Sequence, residues 1–474
     1  MQIIDTLYID GAFVKPHGHE RFDLVNPATE TVIGQVTLGD EVDTQRAIDA
    51  AVRAFPAFSR TSRSERIAML RSLHDALMAR SDDLAEATVE EYGAPRSRAQ
   101  WSTRYAAEAF LSMATTLETY EFTRRVNTAE VVMEPVGVVG LITPWNANAG
   151  FICNKLATAI AAGCTTVIKP SEMSALQTQI VIEALHEAGL PPGVFNVVNG
   201  LGSVVGATLA AHPKIAKISF TGSTAVGKSI LRTGAETMKR VTLELGGKSP
   251  TLLLDDANFA EALPLALSLA FMNSGQACIA GTRLLVPEQR LDEVIERVRN
   301  LIATIQSGDP HDPATIIGPM VSRKQYERVQ HYIRVGEEEG ATLIAGGAGR
   351  PEGLTRGYFV KPTVFAHVTN DMTIAREEIF GPVLSILTYR SEEEAIEIAN
   401  DTVYGLQASV FSSNPARARA VASQLAAGRV LINGVHHDPL APFGGHKQSG
   451  IGREYGAFGL EAYLEPKTLL GAAG

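Results

Sequence analysis

The stretch Ile215-Ala216-Lys217-Ile218-Ser219-Phe220-Thr221-Gly222-Ser223-Thr224-Ala225-Val226-Gly227 carries an apolar run into a helical pattern. Gly222 permits a tight strand-to-helix turn, and Ser223 with the free N–H groups of the helix start can hold a phosphate. Taken alone this is a weak signal, because many α/β proteins carry Gly-Ser at a helix start. No Gly-x-Gly-x-x-Gly follows a strand. Outward from this stretch, short apolar runs at 136–142, 165–168, 194–198 and 241–245 alternate with helical ones. One helix is expected over 175–188, with Ser174 as N-cap and Gln177 as its capping-box partner. Continuous apolar strands alternating with helices predict an α/β protein with a parallel sheet covered on both faces.

A second α/β stretch spans about 258–445, with helices near 288–306, 322–338, 392–399 and 415–425. Ahead of the first, helices fill 43–118, and Asp10-Gly11 between β-formers predicts a hairpin. The chain has 474 residues, which at roughly 150 per domain suggests about three domains. Hydrophobic residues make up 45%, enough to exclude disorder as the main state. The net charge of −10, with no basic block, disfavours a nucleic-acid partner. Three cysteines cannot build a disulfide scaffold and fit a reducing compartment. No secretory signal is visible at the start, and the longest apolar stretch, 263–272, is broken by Ser268 and falls short of a membrane span of about 18 residues. A cytoplasmic protein with no membrane partner is expected.

Cys164 opens an apolar strand and reads as a buried small hydrophobe, as does Cys153 near a helix start. Cys278 differs: in Ser274-Gly275-Gln276-Ala277-Cys278-Ile279-Ala280-Gly281 its small neighbours let substrate approach the sulfur. Glu244, in Leu243-Glu244-Leu245-Gly246-Gly247, sits between leucines at a strand end. It is either an edge residue facing solvent or a partly desolvated carboxylate poised as a base. Lys169-Pro170-Ser171-Glu172 follows a strand; its charged pair suits a ribose and equally suits a solvated loop.

Seven motifs stand in order: Thr143-Pro144-Trp145-Asn146, Lys169-Pro170-Ser171-Glu172, Phe220-Thr221-Gly222-Ser223, the Glu244 and Cys278 segments, Glu377-Glu378-Ile379-Phe380-Gly381-Pro382, and Pro442-Phe443-Gly444-Gly445. In this the chain resembles the aldehyde dehydrogenase superfamily over essentially its whole length. The resemblance implies a Rossmann-like cofactor domain (1–118 and 136–246), an α/β catalytic domain (247–445) and a small β oligomerisation arm (119–135 and 446–474). It implies a homo-oligomer, a dimer or dimer of dimers, with no metal.

The resemblance also implies roles. Cys278 would be the nucleophile, with Asn146 and the Cys278 N–H as oxyanion donors, and Glu244 would activate water to hydrolyse the thioester. Lys155 and Glu454 match a proton relay, and equally a structural ion pair. For the cofactor, Lys169 and Glu172 would bind the adenosine ribose, Ser223 the pyrophosphate, and Glu378 the nicotinamide ribose beside Phe380. Thr143, Trp145, Gly202, Phe220, Gly222 and Leu245 would line the rest. The Glu172 carboxylate suits a 2′-hydroxyl and repels a 2′-phosphate, favouring NAD over NADP. The substrate tunnel would be walled by Ala147, Gly150, Asn154, Ala277, Ile279, His436, His437 and Phe443. These positions include small residues and no Arg or Lys, so the expected substrate is an uncharged bulky, aromatic or medium- to long-chain aldehyde. A CoA-acylating enzyme is an alternative that needs no base at Glu244; a catalytically silent family member is the other.

Overall fold

The computed structural model describes residues 2–471, and two largely parallel sheets organise them. The first has eight strands. Its central five are parallel and lie in the order Arg240–Glu244, Ile215–Thr221, Val138–Ile142, Thr165–Lys169 and Phe195–Val197. The chain lays down the strand Val138–Ile142, builds outward on one side, then returns to its other flank with Ile215–Thr221. That reversal opens a crevice past the carboxyl ends of these two strands, where doubly wound sheets take their ligands. Val138–Ile142 and Thr165–Lys169 are buried throughout, as strands covered on both faces must be. The hairpin Leu7–Ile9 and Ala12–Val14 extends one edge. Asp10 (φ 56°) and Gly11 (φ 80°) make its turn in the left-handed region.

The second sheet has seven strands in the order Thr342–Ala345, Thr363–Ala366, Val383–Tyr389, Arg283–Pro287, Pro250–Leu253, Gln407–Phe411 and Arg429–Ile432. All its pairings are parallel except that of Thr342–Ala345. Glu244 ends its strand in the first sheet, and six residues later Pro250 starts a strand of the second. The two sheets therefore meet end to end: carboxyl ends of the first face amino ends of the second.

A three-stranded antiparallel sheet of Thr123–Val126, Ala129–Pro135 and Leu464–Leu469 forms the arm. Residues 446–463, expected in that arm, lie elsewhere. Gly450–Ile451 pairs with Arg240–Glu244 as the far edge of the first sheet, and helix Gly456–Glu461 packs on helix Asn148–Ala162.

The helix expected at 175–188 is present as Ala175–Glu187, but Ser174 does not cap it. Ser174 ends the short turn Glu172–Ser174 with φ −129° and ψ 33°, which turns its hydroxyl away from the helix N–H groups. The buried Glu91 carboxylate accepts from Leu176 N (2.7 Å) and Gln177 N (3.1 Å) instead, so the cap comes from a distant helix rather than from the local sequence.

Candidate active site

Two loops leave the crevice edges of the first sheet. After Ile215–Thr221, Gly222 turns the chain so tightly that a Cβ there would lie 2.4 Å from the Phe220 ring. Ser223 then caps helix Thr224–Ala235 by accepting from Val226 N. The next cleft surface holds Trp145, Asn146, Thr221, Ser223, Leu245 and Phe380 around a volume of about 280 Å3, which also takes in Glu244, Cys278 and Glu378. Lys169 Nζ is 3.0 Å from Glu172 Oε2. The hydroxyls of Thr143 and Thr221 are buried without a protein partner, and the space beside Gly202 is open. A helix N-terminus, unpaired hydroxyls and a glycine-walled cleft fit a dinucleotide.

Glu378 Oε1 accepts from Gly247 N (3.0 Å), and a Cβ on Gly246 would come within 2.4 Å of its other oxygen. Burial pushes its carboxyl up to about 7, while the Gly247 N–H and the Lys248 charge pull it back. Phe380 adopts φ 62° and meets Trp145 edge-on at 5.4 Å. Gln325 Nε2 holds it by donating to Phe380 O (2.7 Å) and Ile379 O (3.2 Å), and Arg328 donates to Glu378 O. Gln325 and Arg328 lie on helix Arg323–Glu338; sequence reasoning missed them because nothing local marks them among ordinary surface polar residues.

Cys278 lies in the loop between helix Phe259–Phe271 and strand Arg283–Pro287. Three successive left-handed residues, Asn273, Ser274 and Gly275, reverse the chain ahead of it. Gln276 anchors the loop: Nε2 donates to Tyr92 Oη (3.2 Å) and Pro319 O (3.3 Å), and Oε1 accepts from Val321 N (3.0 Å). Burial, then the Glu378 and Glu244 carboxylates, push the thiol up to about 12, and Arg429 opposes them. The resting side chain is therefore a thiol, and its reaction needs a base. Asn146 Nδ2 donates to Gln276 O (2.9 Å), which ties the amide to the nucleophile loop. Cys153 and Cys164 are sealed in the core, and burial raises both thiols.

Glu244 is 2% exposed, and neither carboxylate oxygen has a partner. Burial first, then the nearby Glu454 charge, hold its pKa well above the ordinary carboxylate range; Lys155 and Arg453 pull the other way. That settles the choice left open by the sequence: it is a desolvated acid, not an edge residue in solvent. Lys155 pairs with Glu454, both buried, and donates to Ser219 Oγ at 2.9 Å; Asn154 Nδ2 reaches Glu454 at 3.3 Å. The charges of Glu454 and Lys155 act on Glu244, though no side chain of this cluster bonds to it.

Ala147 and Gly150 line a small recess with Arg98, Trp145 and Asn146. Asn154 and His437 line an outer cavity of about 350 Å3 with Trp101, Arg104, Tyr105, Glu108 and Tyr455. Aromatic rings pave the way inward: Trp101 stacks on Tyr105 (5.1 Å), His437 meets Tyr105 and Tyr455 edge-on, and Phe443 lies against Tyr455 (5.5 Å). Ala277 and Ile279 are half-buried beside the sulfur. His436 is exposed and folds against Gly434, apart from this wall. The expectation of a tunnel without basic groups needs correction. Arg98 lies over Trp101 at 4.1 Å, and Arg429 over Phe443 at 5.0 Å. Both come from elements outside the seven motifs, helix Arg96–Thr119 and strand Arg429–Ile432.

Comparison with known proteins gives the same picture from another direction. The chain is 48% identical over 469 residues to 3-succinoylsemialdehyde-pyridine dehydrogenase of a Pseudomonas species, covering 98% of each. It superposes on aldehyde dehydrogenase C of Pseudomonas syringae, solved as a cysteine-to-alanine mutant with NAD+ and octanal, with TM-score 0.98 and 46% identity over 99% of this chain and 97% of that one. Betaine aldehyde dehydrogenase of Staphylococcus aureus, solved with NAD+, gives TM-score 0.95 and 36% identity over 98% and 94%. Residues 13–469 match the model of the aldehyde dehydrogenase family, and with the end-to-end sheets and the Cys278–Glu244 cleft already described, the chain belongs to that family.

Proposed function

We propose that the protein oxidises an aldehyde to a carboxylic acid with NAD+, through a thiohemiacetal and then a thioester on Cys278, hydrolysed by water that Glu244 activates. The observation that carries this reading is that Cys278 and Glu244 line one cleft with Asn146, while no partner occupies either oxygen of Glu244. Cys278 Sγ bonds to the carbonyl carbon, and its proton passes to Glu244. Asn146 Nδ2 and the Cys278 N–H stabilise the oxygen as it gains charge; the amide exchanges Gln276 O for that oxygen. When bound, NAD+ supplies the hydride acceptor. Once that first proton has left Glu244, the carboxylate takes one from water in the second half; the water oxygen bonds to the acyl carbon as the C–S bond breaks and Cys278 leaves as thiolate. The Lys155–Glu454 pair is the next station for that proton. A CoA-acylating enzyme would not need an unpaired buried base at position 244.

The substrate this tunnel supports is a bulky aromatic or medium- to long-chain aldehyde. Filling an apolar tunnel contributes about 0.8 kcal/mol per buried methylene. The octanal in the Pseudomonas syringae structure and the aryl semialdehyde in the name of the Pseudomonas relative support this range. NAD is favoured over NADP because the Glu172 carboxylate is where a 2′-phosphate would come. The test is protein, NAD+ and hexanal without CoA, followed at the reduced-nicotinamide absorbance. Sustained turnover is expected. A single burst that needs CoA to continue, or silence with every aldehyde, overturns the reading.

A further inference from the structure

Arg283 is buried and Arg429 half-buried, and they are satisfied very differently. Arg283 spends its donors on Lys248 O, Asn370 Oδ1, Ile398 O and Ala399 O. It is a structural arginine. Arg429 donates from Nε and Nη2 to a single oxygen, Gln407 Oε1. Gln407 in turn donates to Ile279 O (3.1 Å), beside the nucleophile. Nη1 of Arg429 has no protein partner and is not among the polar atoms sealed from solvent. Among the described residues no carboxylate lies within 4 Å of this guanidinium. Its charge acts on Cys278, Tyr105 and Tyr455, the inner and outer ends of the tunnel. A half-buried cation without a counter-charge is costly unless something else supplies an acceptor.

We propose that Arg429 is the polar recognition group of the tunnel, and that the substrate is an otherwise apolar aldehyde carrying a second oxygen acceptor, a ketone or a carboxylate, beyond the reacting carbon. This rests on the aldehyde-oxidising reading above. Gln407 fixes the guanidinium plane, Phe443 lies under its face, and Nη1 is left without a protein partner. Planar, pre-oriented donors of this kind select sp2 oxygens. Arg98, over Trp101, adds a second positive charge to the same aromatic wall. The rings of this wall are therefore no cage for a quaternary ammonium, despite their number.

The experiment compares matched pairs by kcat/KM: 4-oxo-4-phenylbutanal against 4-phenylbutanal, and 5-oxopentanoate against pentanal. In the wild type the oxygen-bearing member of one pair is expected to be preferred at least tenfold; the pair that shows it tells ketone from carboxylate. In Arg429→Met that ratio falls by about tenfold to a hundredfold, the effect of losing a hydrogen bond to a charged group. Arg429→Lys keeps the charge and loses the fork, so it retains more of a carboxylate preference than of a ketone preference. Turnover of all four aldehydes with no preference in the wild type, or a preference that survives in Arg429→Met, overturns the assignment while aldehyde oxidation stands. The wild-type ratio decides this even if Arg429→Met does not fold. No turnover of any aldehyde overturns both.

Discussion

Cys278 sits where an ionised thiol is unwelcome: half-buried, and facing two carboxylates. Burial and the nearby Glu454 charge raise the pKa of Glu244 well above the ordinary carboxylate range. Only its ionised form can take the thiol proton, so the transfer from Cys278 to Glu244 is the event that matters at this scale. Glu244→Gln keeps the shape and removes the base. It is expected to lower turnover by about 10²–10⁴-fold and to leave an acyl adduct on the protein, seen as added mass in the intact chain; normal turnover at pH 7 removes Glu244 from this role. The pH dependence follows from the direction of its shift. A base works only when ionised, so the acid limb of kcat rises with pH through a pKa that is raised. Glu454→Gln removes the like charge that raises it and leaves Lys155 unpaired, which also lowers it. The acid limb is therefore expected at lower pH in Glu454→Gln. A limb that stays put, or moves up, separates Glu454 from Glu244. Cys278 stood out in the sequence by its small neighbours, Glu244 stayed open between two readings until its burial was seen, and Asn146 was singled out only by the resemblance. Arg429 and Tyr455 were not legible, because their role comes from rings and loops that meet only in three dimensions.

Among the elements, the loops after parallel strands gave only weak signals by residue type, and their cofactor roles came from the resemblance. Lys169 closes the strand Thr165–Lys169 and is buried; it meets Glu172, which is half-exposed. Glu172→Ser removes a negative charge that would face a 2′-phosphate. This is expected to shift the NAD/NADP ratio of kcat/KM toward NADP by about 1–2 kcal/mol, roughly tenfold, for a partly screened charge. An unchanged ratio places the selectivity elsewhere. Helix Arg96–Thr119 was less legible still. Arg98, Trp101 and Tyr105 recur one turn apart, so they share a face, yet in sequence that spacing reads as an ordinary amphipathic stripe. The missed cap at Ser174 has the same origin: Glu91, which replaces it, is 83 positions upstream of the residue it displaces.

For the whole molecule, the alternation of strand and helix announced the two parallel sheets, while of the arm segments expected over 119–135 and 446–474 the small sheet takes only Leu464–Leu469 from the second. The path of the final segment was not legible, because two residues, Gly450–Ile451, are too short a strand to leave a pattern. The arm sheet ends in two open edges, Thr123–Val126 and Leu464–Leu469, whose outer residues are mostly exposed. Open edges template pairing with another chain. Light scattering on a size-exclusion column is therefore expected to give a mass about two or four times 50.7 kDa; a monomer at micromolar concentration sinks this expectation. Among the described residues, no helix is long and apolar enough to cross a membrane.

The late return of the chain to the first sheet bears on how this protein is made. Synthesis runs from the amino to the carboxyl end, so Glu244 and Cys278 emerge from the ribosome well before the strand that closes the sheet edge beside Glu244 and before Glu454, the partner of Lys155. A nascent chain can hold both reactive groups and still have neither the closing strand nor the buried counter-charge. Chains interrupted by a stop codon before residue 450 share that fate. They would leave the Arg240–Glu244 edge without its pairing strand and Lys155 without its Glu454 partner. The site is thus complete only when the last elements of the chain are in place.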